Sequence, residues 1–242
     1  MSTSARRRER IEFILGDLSR RYLPGGELRD GSTALAKIAS TTEDPFQVLI
    51  STILSQRTRD EMTEKASAQL FARYGTPAAI AAAPQAELVR LIRPVGFYNQ
   101  KAGQIRKVSQ ALLDRHGGSV PRTYEALLEL PQVGPKTANC VLVYGYGEPR
   151  IPVDTHVHRV SNRLGLVTTK SPEATEPALM RIVPKEWWLH VNELFIRFGK
   201  DLCKPIGPRC EACSFTSFCR HYRTVVSKRG RARTARRRPS RR

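Results

Sequence analysis

The most informative stretch of the 242-residue chain runs from Leu130 to Asn139 and reads LPQVGPKTAN. A helix that ends near Leu130 meets a proline, turns across Val133 and Gly134, and restarts at Pro135, because proline suits the first helical position. The side chain of Val133 can pack between the two helices, and Gly134 lets the backbone approach a partner closely because it has no Cβ. The second helix presents free N–H groups and a positive dipole end, which favour a bound phosphate. Taken alone, such a hairpin of helices can also be plain structure.

Lys136 occupies the first turn of this second helix, where the helix dipole opposes an additional positive charge. This placement predicts a lowered pKa for Lys136, which is what an amine needs in order to attack a sugar carbon and form a Schiff base. The alternative is a surface lysine that contacts phosphate. Position alone does not decide between these two roles.

Asp154 lies in the next informative segment, VDTHVHRV, which runs from Val153 to Val160. It is a natural N-cap for the helix that follows, and capping would account for it. A carboxylate fixed in this way can also face the positive charge that grows on a sugar as its base departs. The two roles are compatible.

The chain is strongly basic, with a formal net charge of +19 from 41 Lys and Arg against 22 Asp and Glu. Ten of the basic residues lie between 221 and 242, where there is no acidic residue. This low-complexity segment cannot bury a core, so we predict that 221–242 is a disordered basic tail. A nonspecific DNA-binding arm, a solvated tail and a localisation signal all fit its composition. A basic protein is expected to have phosphate-bearing partners.

Other classes of protein are excluded by the distribution of apolar residues. No apolar run reaches the roughly 18 residues that a transmembrane helix requires, so we expect no membrane partner. The N-terminus is basic and then amphipathic, without the uninterrupted apolar segment of a secretory signal. We expect a monomer located in the cytoplasm or nucleoid if the source is bacterial or archaeal.

Apolar residues recur at helical spacing almost throughout the chain, as in the set Ile11, Ile14, Leu15 and Leu18. Capping residues followed by proline mark helix starts at Asp44-Pro45, Thr76-Pro77 and Ser171-Pro172. The best strand candidate, Val141 to Tyr144, is too short and follows a helix start. The sequence therefore predicts an all-α fold.

Four of the five cysteines crowd into seventeen residues, at Cys203, Cys210, Cys213 and Cys219. Four thiolates this close in sequence can ligate one metal centre. An all-cysteine zinc site and a cubane iron–sulfur cluster both require four cysteine ligands. Two disulfides are the remaining alternative, which is unusual without a secretory signal. The fifth, Cys140, is most simply a buried core thiol.

Together these segments resemble the endonuclease III family of DNA glycosylases. The stretch LPQVGPKTANCVLVYGYGEPRIPVDTHVHRVSNRLG, from Leu130 to Gly165, is similar to the helix-hairpin-helix, the glycine/proline-rich loop and the catalytic aspartate of that family. The resemblance extends over about residues 40–220 and includes GFYNQKA, from Gly96 to Ala102, and the cysteine cluster.

The resemblance implies that Lys136 is the Schiff-base nucleophile and that Asp154 assists it. Relatives that remove adenine opposite oxidised guanine lack this lysine and carry a catalytic glutamate on an earlier helix, which here reads LISTIL from Leu49 to Leu54. The resemblance also implies that the four clustered cysteines hold a [4Fe-4S] cluster. Lys204 and Arg209, between the first two of these cysteines, are then expected to contact DNA phosphate.

A base inside a duplex cannot reach a lysine, so the lesion must be flipped out and the gap must be filled. In this family two loops fill the gap, and Phe97 stands where an apolar residue intercalates, although a buried aromatic is the alternative role. The other loop has Ser55-Gln56-Arg57 where the family has Ser-Ala-Gln, so Arg57 stands at the position of the gap-filling glutamine. This difference bears on opposite-base preference.

We therefore expect Gln56, Arg57, Phe97, Val133 and Gly134 to contact DNA. Two further residues match family positions without any chemistry being assigned to them, namely Asp60 and Lys101.

The sequence and the resemblance together predict two helical domains that flank a DNA-binding cleft. A helix-hairpin-helix domain is expected over 38–150, and a cluster domain over 1–37 together with 151–220. The predicted function is excision of oxidised pyrimidines from damaged double-stranded DNA, followed by β-elimination at the abasic site. The alternatives are a monofunctional glycosylase for mismatched or alkylated bases and a non-catalytic DNA-binding module.

Overall fold

The computed structural model describes residues 3–23, 33–42 and 44–226, and every regular element within these ranges is helical. The predicted all-α fold is confirmed. The α-helices are α1 (Thr3–Tyr22), α2 (Ala34–Thr42), α3 (Pro45–Ser55), α4 (Asp60–Phe71), α5 (Pro77–Ala82), α6 (Gln85–Leu91), α7 (Tyr98–His116), α8 (Tyr124–Leu128), α9 (Pro135–Cys140), α10 (Thr155–Leu164), α11 (Pro172–Met180) and α12 (Trp188–Asp201). Short 3-10 helices occur at Lys185–Trp187 and Cys210–Ala212, and π-helical segments at Val141–Gly145 and Tyr222–Val226. Most of the predicted basic tail, 227–242, lies outside the described residues.

The helices begin where capping residues satisfy the first backbone N–H groups. The Asp44 carboxylate accepts a hydrogen bond from the Phe46 N–H at 2.8 Å, and Pro45 opens α3. Thr76 and Ser171 cap α5 and α11 in the same way. Each such cap contributes about 1 kcal/mol to stability. The predicted helix starts are therefore confirmed, and the rejected strand candidate at Val141–Tyr144 is π-helical.

The chain divides into two compact units. The larger comprises Gly25–Pro152 and Trp188–Glu193, and its core draws buried side chains from α3 through α9. Helix α3 is its central element, because every residue from Val48 to Leu54 is buried. A helix that is buried on all sides needs an apolar surface all round, and the two polar residues within this run are satisfied internally. The Ser51 hydroxyl bonds to that of Ser67, and the Thr52 hydroxyl donates to the Val48 carbonyl.

The other unit comprises Met1–Pro24, Val153–Trp187 and Leu194–Arg242. The predicted apolar face of α1 is buried there, including Ile11, Ile14, Leu15 and Leu18. Phe215 is buried and lies edge-on to the ring of Phe198 in α12, with 5.5 Å between ring centroids. Because Phe215 follows Cys213 by two residues, this aromatic contact anchors the cysteine-rich segment to the core of the unit.

Within 3–23, 33–42 and 44–226, no helix combines the length and the apolar character that crossing a membrane requires.

Candidate functional site

The predicted helix-hairpin-helix is formed by α8, a turn over 129–134, and α9. The Thr123 hydroxyl caps α8 by accepting from the Ala126 N–H at 3.3 Å. Within the turn, the Val133 N–H donates to the Leu130 carbonyl at 3.2 Å. Both of these side chains are buried in the core of the larger unit. The apolar residues of the turn therefore fix its shape from inside, and Val133 can present only its backbone to a ligand.

Gly134 is the N-cap of α9 and is exposed. Its φ of −98° is open to any residue, so the backbone conformation does not require glycine. A Cβ built at this position would have no atom within 4 Å, so protein packing does not require glycine either. A close approach from outside the protein is the remaining physical reason for glycine at this point.

Lys136 follows Pro135 in the first turn of α9 and is partly exposed. Its predicted place at the positive end of a helix is confirmed, whereas its lowered pKa stays a prediction. The helix continues from α9 into the buried π-helical segment Val141–Gly145, which fixes α9 in the core of the larger unit. Lys136 is therefore an amine at the surface of a rigid element.

Asp154 caps α10, as the sequence predicts. Its Oδ1 accepts from the Val157 N–H at 2.8 Å, and its carbonyl accepts from the His158 N–H at 2.9 Å. The side chain is partly exposed, and in the described part of the chain its carboxylate accepts no other hydrogen bond. One carboxylate oxygen thus holds the orientation, and the other is available for a substrate.

The two predicted DNA-inserting loops carry Arg57 and Phe97 in left-handed conformations, with φ of 53° and 58°. Residues other than glycine adopt this region rarely. Phe97 is 56% exposed, so the alternative of a buried core aromatic is wrong. The Arg57 guanidinium lies over the Phe97 ring, 5.8 Å from its centroid. Gln56 is also exposed and caps the end of α3 through its N–H.

Lys101, a family-matching position to which the sequence assigned no chemistry, is buried. It is only 3% exposed, and its Nζ donates to the Leu54 carbonyl at 2.7 Å, the Gln56 carbonyl at 2.6 Å and the Thr58 hydroxyl at 2.9 Å. Burial lowers the pKa of Lys101 to about 8, while the three oxygen acceptors favour its ammonium form. Its position four residues before buried Ile105, on the apolar face of α7, was the available signal.

The four clustered cysteines line a single pocket in the smaller unit, together with apolar side chains such as Phe198 and Leu202. All four are free thiols, which does not support the disulfide alternative. Within the described ranges, no three His, Cys, Asp or Glu side chains converge closely enough to hold one metal ion. Burial raises the pKa of Cys213 to about 11, so this thiol is protonated at neutral pH unless a cation displaces the proton. Four thiols on an apolar pocket form a donor set that suits iron or zinc.

Two arginines of α10 hold the segment that begins at Cys203. Arg159 donates to the Cys203 carbonyl at 3.1 Å and to the Gly199 carbonyl at 3.0 Å. Arg163 donates to the carbonyls of Lys204 and Pro205, at 2.6 Å and 2.9 Å. The helix that Asp154 caps therefore also orders the cysteine loop. Neither arginine was predicted from the sequence, although their spacing of four residues places them on one face of a helix.

The two predicted phosphate contacts of the loop differ in their surroundings. Lys204 is exposed. Arg209 is also exposed, but its guanidinium donates to the Asp201 carbonyl at 3.1 Å and pairs with the carboxylate of the same residue. A contact between Arg209 and phosphate would compete with this ion pair, and for both residues DNA binding stays a prediction.

Comparison with known proteins places the chain in a family. Residues 50–185 match the HhH-GPD superfamily of base excision DNA repair proteins. Endonuclease III of Thermotoga maritima is 52% identical over 180 residues, which are 74% of this chain and 84% of that protein. Endonuclease III of Bacillus subtilis is 41% identical over 178 residues, which are 73% and 81% of the two chains.

A solved structure agrees with these relatives. It is a trapped covalent intermediate between endonuclease III and DNA, in an estranged-adenine complex. It matches with a TM-score of 0.80 and 35% identity, over 93% of this chain and 100% of that chain.

The hairpin and the matched region define the class of protein, a base excision DNA repair protein of the HhH-GPD superfamily. Within this class the chain belongs to the endonuclease III family. Its activity is that of a bifunctional DNA glycosylase and lyase, which releases a damaged base and then cleaves the strand.

Proposed function

We propose that the protein excises oxidised pyrimidines from duplex DNA and nicks the resulting abasic site by β-elimination, with Lys136 as nucleophile and Asp154 as its partner. The observation that carries the proposal is a partly exposed lysine in the first turn of α9, directly after an exposed glycine at the N-cap. The membership of the chain in the endonuclease III family supports the same reaction.

The proposed chemistry uses the amine of Lys136 for both steps. Its nitrogen attacks C1′ of the sugar, the bond between C1′ and the base breaks, and the base leaves with the bonding electrons and takes up a proton. The nitrogen then loses one proton, the bond between C1′ and the ring oxygen breaks, and that oxygen takes up a proton, which leaves a protonated Schiff base between the nitrogen and C1′. Loss of a proton from C2′ then expels the 3′ phosphate, which cleaves the strand.

Asp154 acts on the charge that develops in the first step. As the base departs, positive charge grows on the sugar, and a carboxylate already fixed by its N-cap hydrogen bond stabilises that charge without having to reorganise. The same carboxylate can accept a proton from the attacking amine. Because capping fixes only one of its oxygens, structural and catalytic roles coexist in this side chain.

The endonuclease III family generally carries a [4Fe-4S] cluster. Cys203, Cys210, Cys213 and Cys219 would hold the cluster here, since they line one pocket as free thiols. The bound cluster would cross-link the loop between Cys203 and Cys210.

The colour and metal content of the purified protein test this assignment. We expect a brown protein that contains iron and inorganic sulfide, because thiolate-ligated iron–sulfur clusters absorb visible light. A colourless protein that contains one zinc ion would overturn it.

A panel of lesions tests the proposed function. Duplexes that carry an oxidised pyrimidine, a mismatched thymine or an alkylated base are scored for base release and for strand cleavage, with and without alkali. We expect the oxidised pyrimidine to be released and the strand to be cut without alkali. Cleavage only after alkali would indicate a monofunctional glycosylase, and binding without base release would indicate a non-catalytic module.

Replacing Gly134 with alanine is expected to weaken binding to an abasic-site duplex by at least about 10-fold and to leave stability within about 0.5 kcal/mol of the wild type. The new methyl group meets no protein atom within 4 Å, but it would obstruct a phosphate that approaches the backbone. Fluorescence anisotropy and thermal unfolding measure the two effects.

Gly145→Ala is the matched control for this prediction, because its Cβ would lie 3.2 Å from Cα of Pro45. This variant is expected to lose stability, with binding by the remaining folded protein unchanged. Unaltered DNA affinity in Gly134→Ala would contradict the proposed phosphate contact.

A further inference from the structure

We propose that Thr58 and Lys101 form a polar lock that holds the loops of Arg57 and Phe97 in the shape needed to enter the DNA stack. Both are positioning residues, since they act through the two exposed side chains and touch neither sugar nor base. The inference rests on the proposed action on duplex DNA and deepens it by naming what presets the inserting loops.

The backbone conformation of the two inserting residues supports this role. Arg57 and Phe97 both have positive φ, a backbone conformation that is unfavourable for residues other than glycine. Such conformations persist only where the surroundings determine them, and they cluster at functional sites. Here two residues with such conformations lie next to each other, and the guanidinium of one covers the aromatic ring of the other. The fold therefore maintains this loop shape although it is unfavourable for the backbone.

A set of hydrogen bonds maintains this shape. The Thr58 hydroxyl accepts from the Gly96 N–H at 3.2 Å and from Lys101 Nζ at 2.9 Å, so one oxygen joins both loops to α7. The bonds from Lys101 to Gln56 and Thr58 lie on either side of Arg57. The contact with Gly96 directly precedes Phe97. The hydrogen bonds of the lock thus lie directly beside both left-handed residues in the sequence.

The two loops also approach each other closely. A Cβ on Gly96 would come within 3.0 Å of the Arg57 carbonyl oxygen, so the backbones touch at this point. A buried ammonium also carries a desolvation cost, which its three oxygen acceptors offset. Yet the side chains that this arrangement presents are exposed, and Phe97 contributes little to the core. The stability of the folded protein therefore does not explain this arrangement, and we assign its purpose to contact with DNA.

If the lock acts in this way, its loss affects the reaction on duplex DNA but not on single-stranded DNA. A preset wedge is needed only where a base must be separated from a stacked partner, as in a duplex. An abasic site in a single strand has no partner base to separate, and there the lyase step depends on Lys136 and Asp154 and not on the inserting loops. Loss of the lock should therefore slow the reaction on duplex DNA and spare the reaction on the single strand.

Thr58→Val tests the lock because it replaces the hydroxyl with a methyl group of similar size. Single-turnover lyase rates are measured on an abasic site in a duplex and in the corresponding single strand. We expect the duplex rate to fall by about 10- to 100-fold, the scale of a misplacement of roughly 1 Å, while the single-strand rate changes by less than about 3-fold. Thr58→Ser restores the hydroxyl and should restore the duplex rate.

Two further variants keep the test independent of the threonine. Gly96→Ala pushes the loops apart without removing any polar group, and it should reproduce the selective loss on duplex DNA. Lys101→Met should do the same, whereas Lys107→Met, which removes an exposed lysine of the same helix, should leave both rates unchanged. A 2-aminopurine opposite the abasic site reports insertion directly, and its fluorescence increase should be lost in Thr58→Val.

Equal loss on duplex and single strand, or an unchanged duplex rate in Thr58→Val, would overturn the proposed lock. Because these substrates already contain an abasic site, the test does not depend on which base the enzyme releases. Failure of the wild type on oxidised pyrimidines would count against the proposed function and would leave the comparison of duplex with single strand intact.

Discussion

Replacing Lys136 with glutamine is expected to reduce strand cleavage at an abasic site by on the order of 10⁴-fold or more, the scale seen when the nucleophile of a covalent mechanism is removed. An amide nitrogen cannot form the Schiff base on which β-elimination depends. The rate is measured in single turnover with a preformed abasic duplex, so base release does not limit it.

Lys136→Arg distinguishes the nucleophile from a phosphate contact. Arginine keeps the positive charge and contacts phosphate well, but its guanidinium stays protonated and cannot attack C1′. We therefore expect Lys136→Arg to be as inactive as Lys136→Gln while it retains most of the DNA affinity. Substantial cleavage by Lys136→Arg would show that the lysine serves only as a positive charge.

The substitution Asp154→Asn is expected to lower the rate of base excision by about 10²- to 10³-fold with little change in stability. Asparagine is as good an N-cap as aspartate, so the hydrogen bond from the Val157 N–H survives and only the negative charge is lost. Excision is followed in single turnover on an oxidised-pyrimidine duplex, and stability is followed by denaturant unfolding.

Asp154→Ala completes this comparison because it removes both the charge and the cap. It should match Asp154→Asn in activity and lose about 1 kcal/mol more of the free energy of unfolding. If Asp154→Asn were fully active and only Asp154→Ala failed, capping would be the sole role of this residue.

The elements that the sequence predicted well are those encoded by local signals. Asp44-Pro45 and Asp154 are caps whose partners lie two or three residues away, so the helix starts follow from the residues themselves. The hairpin is similar, because Pro135 fixes its own φ and suits the first position of a helix wherever it occurs. The spacing of the cysteines likewise placed four thiols around one pocket.

The features that escaped prediction depend on contacts distant in sequence or on unusual backbone angles. Lys101 reaches Leu54, 47 residues away. Its place on the apolar face of α7 indicates burial, but no local pattern predicts its three oxygen acceptors. The exposed position of Phe97 was expected, but the left-handed backbone conformation that accompanies it has no signal in the sequence. The π-helical turn at Val141–Gly145 is also unmarked, because the same apolar run suits a buried helix or a short strand.

Trapping with borohydride during turnover tests the central claim most directly, because reduction converts a Schiff base into a stable covalent bond between enzyme and DNA. With the wild type and an oxidised-pyrimidine duplex, we predict a covalent complex whose modified peptide carries the DNA on Lys136. We predict no complex for Lys136→Ala under the same conditions. A complex that forms with Lys136→Ala, or a modified peptide that lacks Lys136, would contradict the assignment of the nucleophile.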